Sequence, residues 1–344
     1  MCKRTITKVG LICSMLLCIM LVSGLTSAFA AEQIIMRVAH CDPADVYTSR
    51  KHAQLTTFKE YVDMNSGGRI QVQVHGAGAL GGERELVEAL MTGSLHASSI
   101  TTLATFYPPQ MIVGIPYLFP SQSVAWEVLD GPFGKKLSEG MLKKTGLRNL
   151  AFGEVGFKQF TNSKKPIHTP SDMKGLKFRV IESPLCVLMV KSLGGNPSPI
   201  PWTETYMALQ TGVADGQDNP VAGIFMAKLH EVQKYCTMDN HFYGEDWFLI
   251  NEKFYQSLPK DLQAVVAEGA KISATVSRGV QTLNSHIGIS KLQKAGMQIY
   301  TPTPQEMKLF KQAAQEPVIK WLKTKVDPKL VDEALQAVAK ASKK

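Results

Sequence analysis

Apolar and polar residues alternate through QIIMRVAH (33–40), a stretch rich in branched side chains, which predicts a strand ending at the Cys41-Asp42-Pro43 loop. Over residues 48–64 the period lengthens. Ala53, Phe58, Val62 and Met64 fall near one face of a helix, and Asn65-Ser66-Gly67-Gly68 ends it. RIQVQVH (69–75) returns to a period of two. Strand, helix and strand in this order form a β-α-β unit, which requires a parallel pair in a covered sheet.

The pattern continues with a helix over 82–91, a buried strand over 94–100 and an apolar run over 111–119 that Pro116 interrupts. A second series opens with a strand at 158–163 and a cap-type turn at Thr169-Pro170-Ser171-Asp172. It goes on through a strand at 175–180, with Arg179 near its end, and a helix at 185–193 that Gly194-Gly195 stops. Residues 196–201 are extended and proline-rich and deliver Trp202; a short helix (203–212, with Thr203 as its cap) and a strand (213–220) follow. Beyond Leu258-Pro259 about 35 residues run without proline to Lys294, a helix of ~50 Å. Such a helix exceeds the width of one domain and is expected to brace two lobes, the number that a 344-residue chain suggests.

VQVHGAGALGGERELVE (72–88) contains Gly76, Gly78 and Gly81 in the G-x-G-x-x-G spacing of a dinucleotide-binding turn. Here the turn follows the second strand instead of the first, and no acid occurs between Glu88 and Glu127 to hold a ribose. The expectation is instead a glycine-rich turn from strand to helix that brings backbone N–H groups and Glu83 to a cleft.

The first thirty residues change the picture of charge and cysteine. Lys3, Arg4 and Lys8 precede an apolar run over 11–22, and Ala28-Phe29-Ala30 is an A-x-A cleavage site, so residues 1–30 read as a secretory signal peptide cut between Ala30 and Ala31. Its removal takes three Lys/Arg and no Asp/Glu, so the formal charge falls from +9 to +6. The remaining excess lies in short lysine pairs among acids, which argues against nucleic acid as a partner and is compatible with small anions. Cys41, Cys186 and Cys236 remain, an odd and widely spaced set expected to be buried free thiols.

Catalytic signatures are missing. His230-Glu231 lacks the second histidine of a zincin helix, and there is no G-x-S-x-G elbow, P-loop or EF-hand spacing. No cofactor or metal is expected, and an enzyme using Glu83 and Lys158 as acid and base is the minor alternative. What the residues do offer is an anion site. Arg179 closes a strand with a fork suited to a carboxylate. Trp202 stands behind a rigid proline run as a stacking wall, and Asn219 is fixed before Pro220.

In this order these residues resemble the substrate-binding subunit of tripartite ATP-independent periplasmic (TRAP) transporters, of the DctP type. The likeness covers nearly the whole mature chain and is carried by GALGGERELVEALMTGSL (78–95), GFKQFTNSKKPI (156–167), DMKGLKFRV (172–180) and PIPWTETYMALQTGVADGQDNP (199–220). It implies a two-lobed α/β periplasmic-binding-protein-like fold, with 31–154 and about 243–280 in one lobe and 155–242 and about 281–344 in the other. It further implies a periplasmic monomer that closes on an organic acid and docks to the TRAP membrane subunits, or, as an alternative, a sensor feeding a signalling receptor. By the same resemblance Arg179 forms the carboxylate salt bridge, Asn219 and Trp202 are ligand contacts, Glu83 faces the cleft, and His40, Tyr47, Thr101 and Tyr243 line it. Lys158 stands where many members have arginine, keeping the charge without the fork. Trp202, Glu83, Lys158 and Gln217 suit a hydroxylated sugar acid such as a uronate; dicarboxylates and keto acids stay open.

Overall fold

The computed structural model describes residues 33–343; the signal peptide and cleavage site expected from the sequence lie outside them. The chain opens β1 (Ile34–Ala39), α1 (Arg50–Asn65), β2 (Ile70–His75), α2 (Glu83–Thr92) and β3 (Ala97–Ile100). β1 pairs in parallel with both β2 and β3, as the β-α-β pattern requires. Ser49 caps α1 by accepting a hydrogen bond from the His52 N–H. Two helices, α3 (Gln122–Asp130) and α4 (Pro132–Thr145), lead into β4 (Leu147–Asn162). Then come β5 (Lys177–Val180), α5 (Pro184–Ser192), β6 (Asn196–Pro199), α6 (Thr205–Gln210), β7 (Gly216–Asn219) and α7 (Val221–Met226). The chain closes with β8 (Tyr235–Asn251), α8 (Glu252–Ser257), α9 (Lys260–Lys294), β9 (Gln298–Tyr300), α10 (Pro304–Leu322) and α11 (Pro328–Ala341).

The strands form one sheet in the order β2-β1-β3-β8-β4-β7-β5-β6, with β9 beside β8. Its two ends are separate parallel sets, β2-β1-β3 and β7-β5-β6. The antiparallel pair β4 and β8 joins them, each strand running from one lobe into the other. Of β4 only the segment from Lys158 to its end reads as a strand in the sequence. Gly153, Glu154 and Gly156 break the apolar pattern, and the register slips there, between Asn149 and Ala151, Glu154 and Gly156, and Lys158 and Phe160. Gly156 (φ +89°) faces Gly244 across the pair. A Cβ on Gly244 would lie 2.9 Å from Val155 Cβ, so the two strands cross closer than side chains allow.

The long helix has its predicted limits. Along α9, Leu262, Val266 and Ala270 join a core with Met36, Phe58 and Phe248, whereas Leu292 enters a second core with Ile224 and Leu229. One helix therefore packs into both lobes. Thr203 does not cap the helix after Trp202: residues 202–204 form a 3₁₀ turn, and α6 begins at Thr205 without a side-chain cap. The three described cysteines are buried and free, as expected.

Glu154 and Glu245 are register partners on the crossing strands, and burial pushes both carboxyls up to about 7. Gln110 Nε2 and Trp247 Nε1 donate to Glu245 Oε1 at 2.8 and 2.7 Å, which only partly offsets desolvation. A carboxyl whose folded pKa lies above its unfolded value stabilises fully below that unfolded value, here 4.5, and loses the contribution as pH rises through about 7. Glu245→Gln is therefore expected to match the wild type at pH 4 and to exceed it by roughly 3 kcal/mol at pH 8. Urea melts at the two pH values measure this, and a variant less stable at pH 8 would refute it.

Candidate functional site

The C-terminal ends of β1, β3, β5 and β7 converge on a cleft between the lobes, where ligands of open parallel sheets bind. Its cavity volume is about 90 Å³, room for several waters or a small organic acid.

One wall is an ionic network from the first lobe. Arg50, at the start of α1, binds Asp246 Oδ2 through Nε at 2.6 Å and Asp42 Oδ2 through Nη1 at 3.1 Å. Lys51 binds Glu83 and lies 3.4 Å from Asp246 Oδ1. Glu83 begins α2, and its carboxylate also accepts from the Thr101 and Thr102 N–H groups at 3.1 and 2.8 Å, just past β3. Thr101 Oγ1 donates to Asp246 at 2.5 Å. Burial alone would raise Asp246, but Arg50 and Lys51 outweigh it and hold the carboxyl at about 2. Burial would likewise raise Glu83, and Lys51 with the backbone donors keeps it below its ordinary value. Glu83 and Asp246 are thus ionised at neutral pH, whereas burial raises the carboxyl of Asp42.

The facing wall comes from the second lobe. Arg179, on β5, is 1% exposed. Its Nε donates to the Ile200 carbonyl at 2.9 Å, so the proline-rich segment fixes the guanidinium, which lies 5.8 Å from the centre of the half-buried Trp202 ring. Arg179 Nη1 is buried with no hydrogen-bond partner in the protein. Burial, incompletely offset by the more distant Asp218, lowers its pKa. Lys158, on β4 and also 1% exposed, sits 3.3 Å from Asp218 Oδ2 and 4.7 Å from the Phe242 ring centre. Asn219 ends β7, and its amide donates to Gln217 Oε1 at 2.5 Å.

The glycine motif leads into the same cleft, which begins at Gly82 and Glu83. A Cβ on Gly76 would stand 2.9 Å from the His40 ring, and one on Gly78, already at φ +71°, would stand 3.1 Å from Thr203 of the opposite lobe. Gly81 has φ +102° and no room beside Glu85. Close approach, not a pyrophosphate, explains all three.

Of the residues read from the sequence, the cleft brings together Glu83, Thr101, Lys158, Arg179, Trp202 and Asn219. It does not include His40, Tyr47, Tyr243 or Gln217. His40 is buried behind the wall, its Nε2 2.9 Å from His52 Nδ1, and burial pushes its pKa down to about 3. Tyr47 is 82% exposed on a loop that Asn284 of α9 holds through the Tyr47 carbonyl. Tyr243 alternates away from the cleft on β8 and packs between Phe119 and Phe157. Arg50, Lys51 and Asp218 escaped the sequence reading. A signal was present: two cations in the first turn of a helix oppose its dipole unless acids meet them, and Glu245-Asp246 interrupts an apolar strand.

Residues 46–324 match the family model of the bacterial extracellular solute-binding proteins, family 7 (DctP). A solute-binding protein of Verminephrobacter eiseniae is 35% identical over 274 residues, covering 79% of this chain and 81% of its own. Among solved structures, the sugar acid binding protein DctPAm of Advenella mimigardefordensis, in complex with galactonate, is 32% identical with a TM-score of 0.86 over 90% of this chain and 99% of its own. A TRAP periplasmic solute binding protein of Sulfurospirillum deleyianum, with bound succinate, is 28% identical with a TM-score of 0.83 over 89% and 99%. The chain belongs to family 7 of the extracellular solute-binding proteins, whose members are substrate-binding proteins of transport and not enzymes. The two-lobed fold expected from the sequence is the fold of these relatives.

Proposed function

We propose that the protein captures an organic acid outside the cytoplasmic membrane, with Arg179 as its carboxylate anchor, and delivers it to the membrane subunits of a TRAP transporter. The observation that carries this reading is Arg179 Nη1, a charged donor buried at the cleft without a partner. Such a group strongly favours a bound anion, because a buried charge left unpaired is costly. Trp202 supplies an apolar face for a carbon skeleton, and Asn219, Lys158, Glu83 and Thr101 supply polar contacts from both sides. Galactonate in one relative supports a sugar acid as the ligand class. We assign 31–154 and about 243–280 to the first lobe and 155–242 and about 281–344 to the second. The last helix, α11, packs back on α3 and so ties the two together. Because the ligand touches both lobes, it favours the closed form, which a membrane partner can read. We take the protein to act as a periplasmic monomer, exported by a leader cut after Ala30.

A thermal-shift panel of aldonates, uronates, dicarboxylates and keto acids on refolded, ligand-free protein tests the class. A ligand at 100 times its Kd adds ~2.7 kcal/mol to stability, a shift of about four degrees for a chain of this size. No shift with any carboxylic acid would refute the organic-acid reading.

A further inference from the structure

We infer that the cleft takes one carboxylate and no second, so its ligand is a monoanionic acid with a neutral, hydroxylated body, and that Glu83 and Asp218 impose this limit. The inference rests on the organic-acid reading and narrows it.

The charges around the cleft can be followed pair by pair. In the first lobe Glu83 and Asp246 match the two cations, Arg50 and Lys51, and Asp42, whose carboxyl burial raises, is a third acid beside them, so this wall has no positive charge to spare for an anion. In the second lobe Lys158 is matched by Asp218. Behind them His241 lies 3.5 Å from Asp218 and 2.9 Å from Asp239. Burial would lower this imidazole, but the two acids hold its pKa above the ordinary value, so any charge it carries is met by acids already in contact with it. Arg84, at the cleft mouth, is exposed and paired with Glu88. Arg179 makes no salt bridge with any acid among the described residues, and of the cleft cations it alone lacks one.

A first carboxylate therefore has a partner in the Arg179 fork. A second would settle against Lys158, whose charge Asp218 already matches, or against the wall that Glu83 makes negative. Like charges brought together in a desolvated site are strongly disfavoured. A hydroxyl group meets the opposite reception. Glu83 holds three donors, from Lys51, Thr101 and Thr102, and a carboxylate has about four acceptor positions, so one remains for a ligand O–H. The Lys158 ammonium can donate to a ligand hydroxyl oxygen, since its Nζ makes no hydrogen bond within the protein. The positions beyond Arg179 thus suit neutral hydroxyls that donate to one wall and accept from the other. As a lysine, residue 158 also lacks the fork that would bind a second carboxylate in bidentate fashion.

The decisive experiment is calorimetric titration of ligand-free protein with pairs that differ only at the far end: galactonate and galactarate, gluconate and glucarate, and 4-hydroxybutyrate and succinate. In each pair for which the monoacid binds, it is expected to bind about a hundredfold tighter than its diacid at pH 7. Glu83→Gln is expected to narrow that gap about tenfold by tightening the diacid, and Asp218→Asn, which frees the charge of Lys158, is expected to do the same by a separate route. Circular dichroism confirms that each variant is folded, and failure of one to fold leaves the other and the wild-type ratio decisive. Any diacid binding as tightly as its monoacid overturns the monoanion limit while leaving the organic-acid reading intact. No binding by either member of any pair overturns both.

Discussion

Arg179→Met is expected to abolish the response to acids and at the same time to raise the melting temperature of the ligand-free protein. The two effects share a cause. A guanidinium that is 1% exposed, with Nη1 unpaired, is held in the fold at the expense of stability, which its lowered pKa reports. Replacing a buried charge by an apolar chain of similar volume is often neutral or stabilising, here by ~1 to 3 kcal/mol. Binding moves the other way. A carboxylate enclosed in the cleft without its cation loses ~2 to 5 kcal/mol, at least about thirtyfold in Kd. Arg179→Lys keeps the charge but not the fork and should fall between the two. Melting curves and titrations of the three proteins with one common acid measure both quantities. Unchanged affinity in Arg179→Met would remove Arg179 from the site, and a large drop in ligand-free stability would show that the residue is structural.

Much of this site is legible in the sequence because its parts lie at strand ends. Arg179 ends a short strand, Asn219 is pinned by the proline after it, and Trp202 follows a rigid proline run, so local chemistry alone places each one at an edge. The long helix is legible for a similar reason: thirty-five residues without proline admit few alternatives. What stays hidden depends on distant pairing. Arg50 meets Asp246, 196 positions away, and nothing near either residue names the partner. The crossing strands are hidden as well, since β4 and β8 carry glycines, glutamates and bulges where an uninterrupted strand would be apolar. His40, Tyr47 and Tyr243 show the limit of carrying a position over by rough alignment. His40 lies just past the end of β1 and turns to His52, and Tyr243 packs on β8 between Phe119 and Phe157. Tyr47 lies on a surface loop.

Asp246 should be the most sensitive position for stability. Its carboxylate accepts from Arg50 Nε at 2.6 Å, Arg50 Nη2 at 3.4 Å and Thr101 Oγ1 at 2.5 Å, and Lys51 lies 3.4 Å away, all of it out of water. Asp246→Ala leaves two buried cations with only Asp42 and Glu83 to meet them, so a loss of ~3 to 5 kcal/mol is expected at pH 7. That is a large part of the ~5 to 15 kcal/mol that holds a typical domain folded. Acid should act on the wild type in the same direction. The folded pKa of about 2 lies below the ordinary 3.8, so the stabilising contribution is complete above the unfolded value and disappears as pH falls toward 2. Roughly 2 kcal/mol is at stake over that window. Asp246→Asn should accordingly be much less stable than wild type at pH 7, with the difference shrinking between pH 4 and pH 2.5. Chemical melts across that range give the comparison. If the difference were the same at both ends, the ionised carboxylate would not be what holds Arg50 and Lys51, and the variant's loss would have to come from packing. A triple change, Arg50→Met with Asp42→Asn and Asp246→Leu, separates the two explanations. Lys51 keeps Glu83 as its partner and no buried charge is left unpaired, so stability should recover most of the single variant's loss.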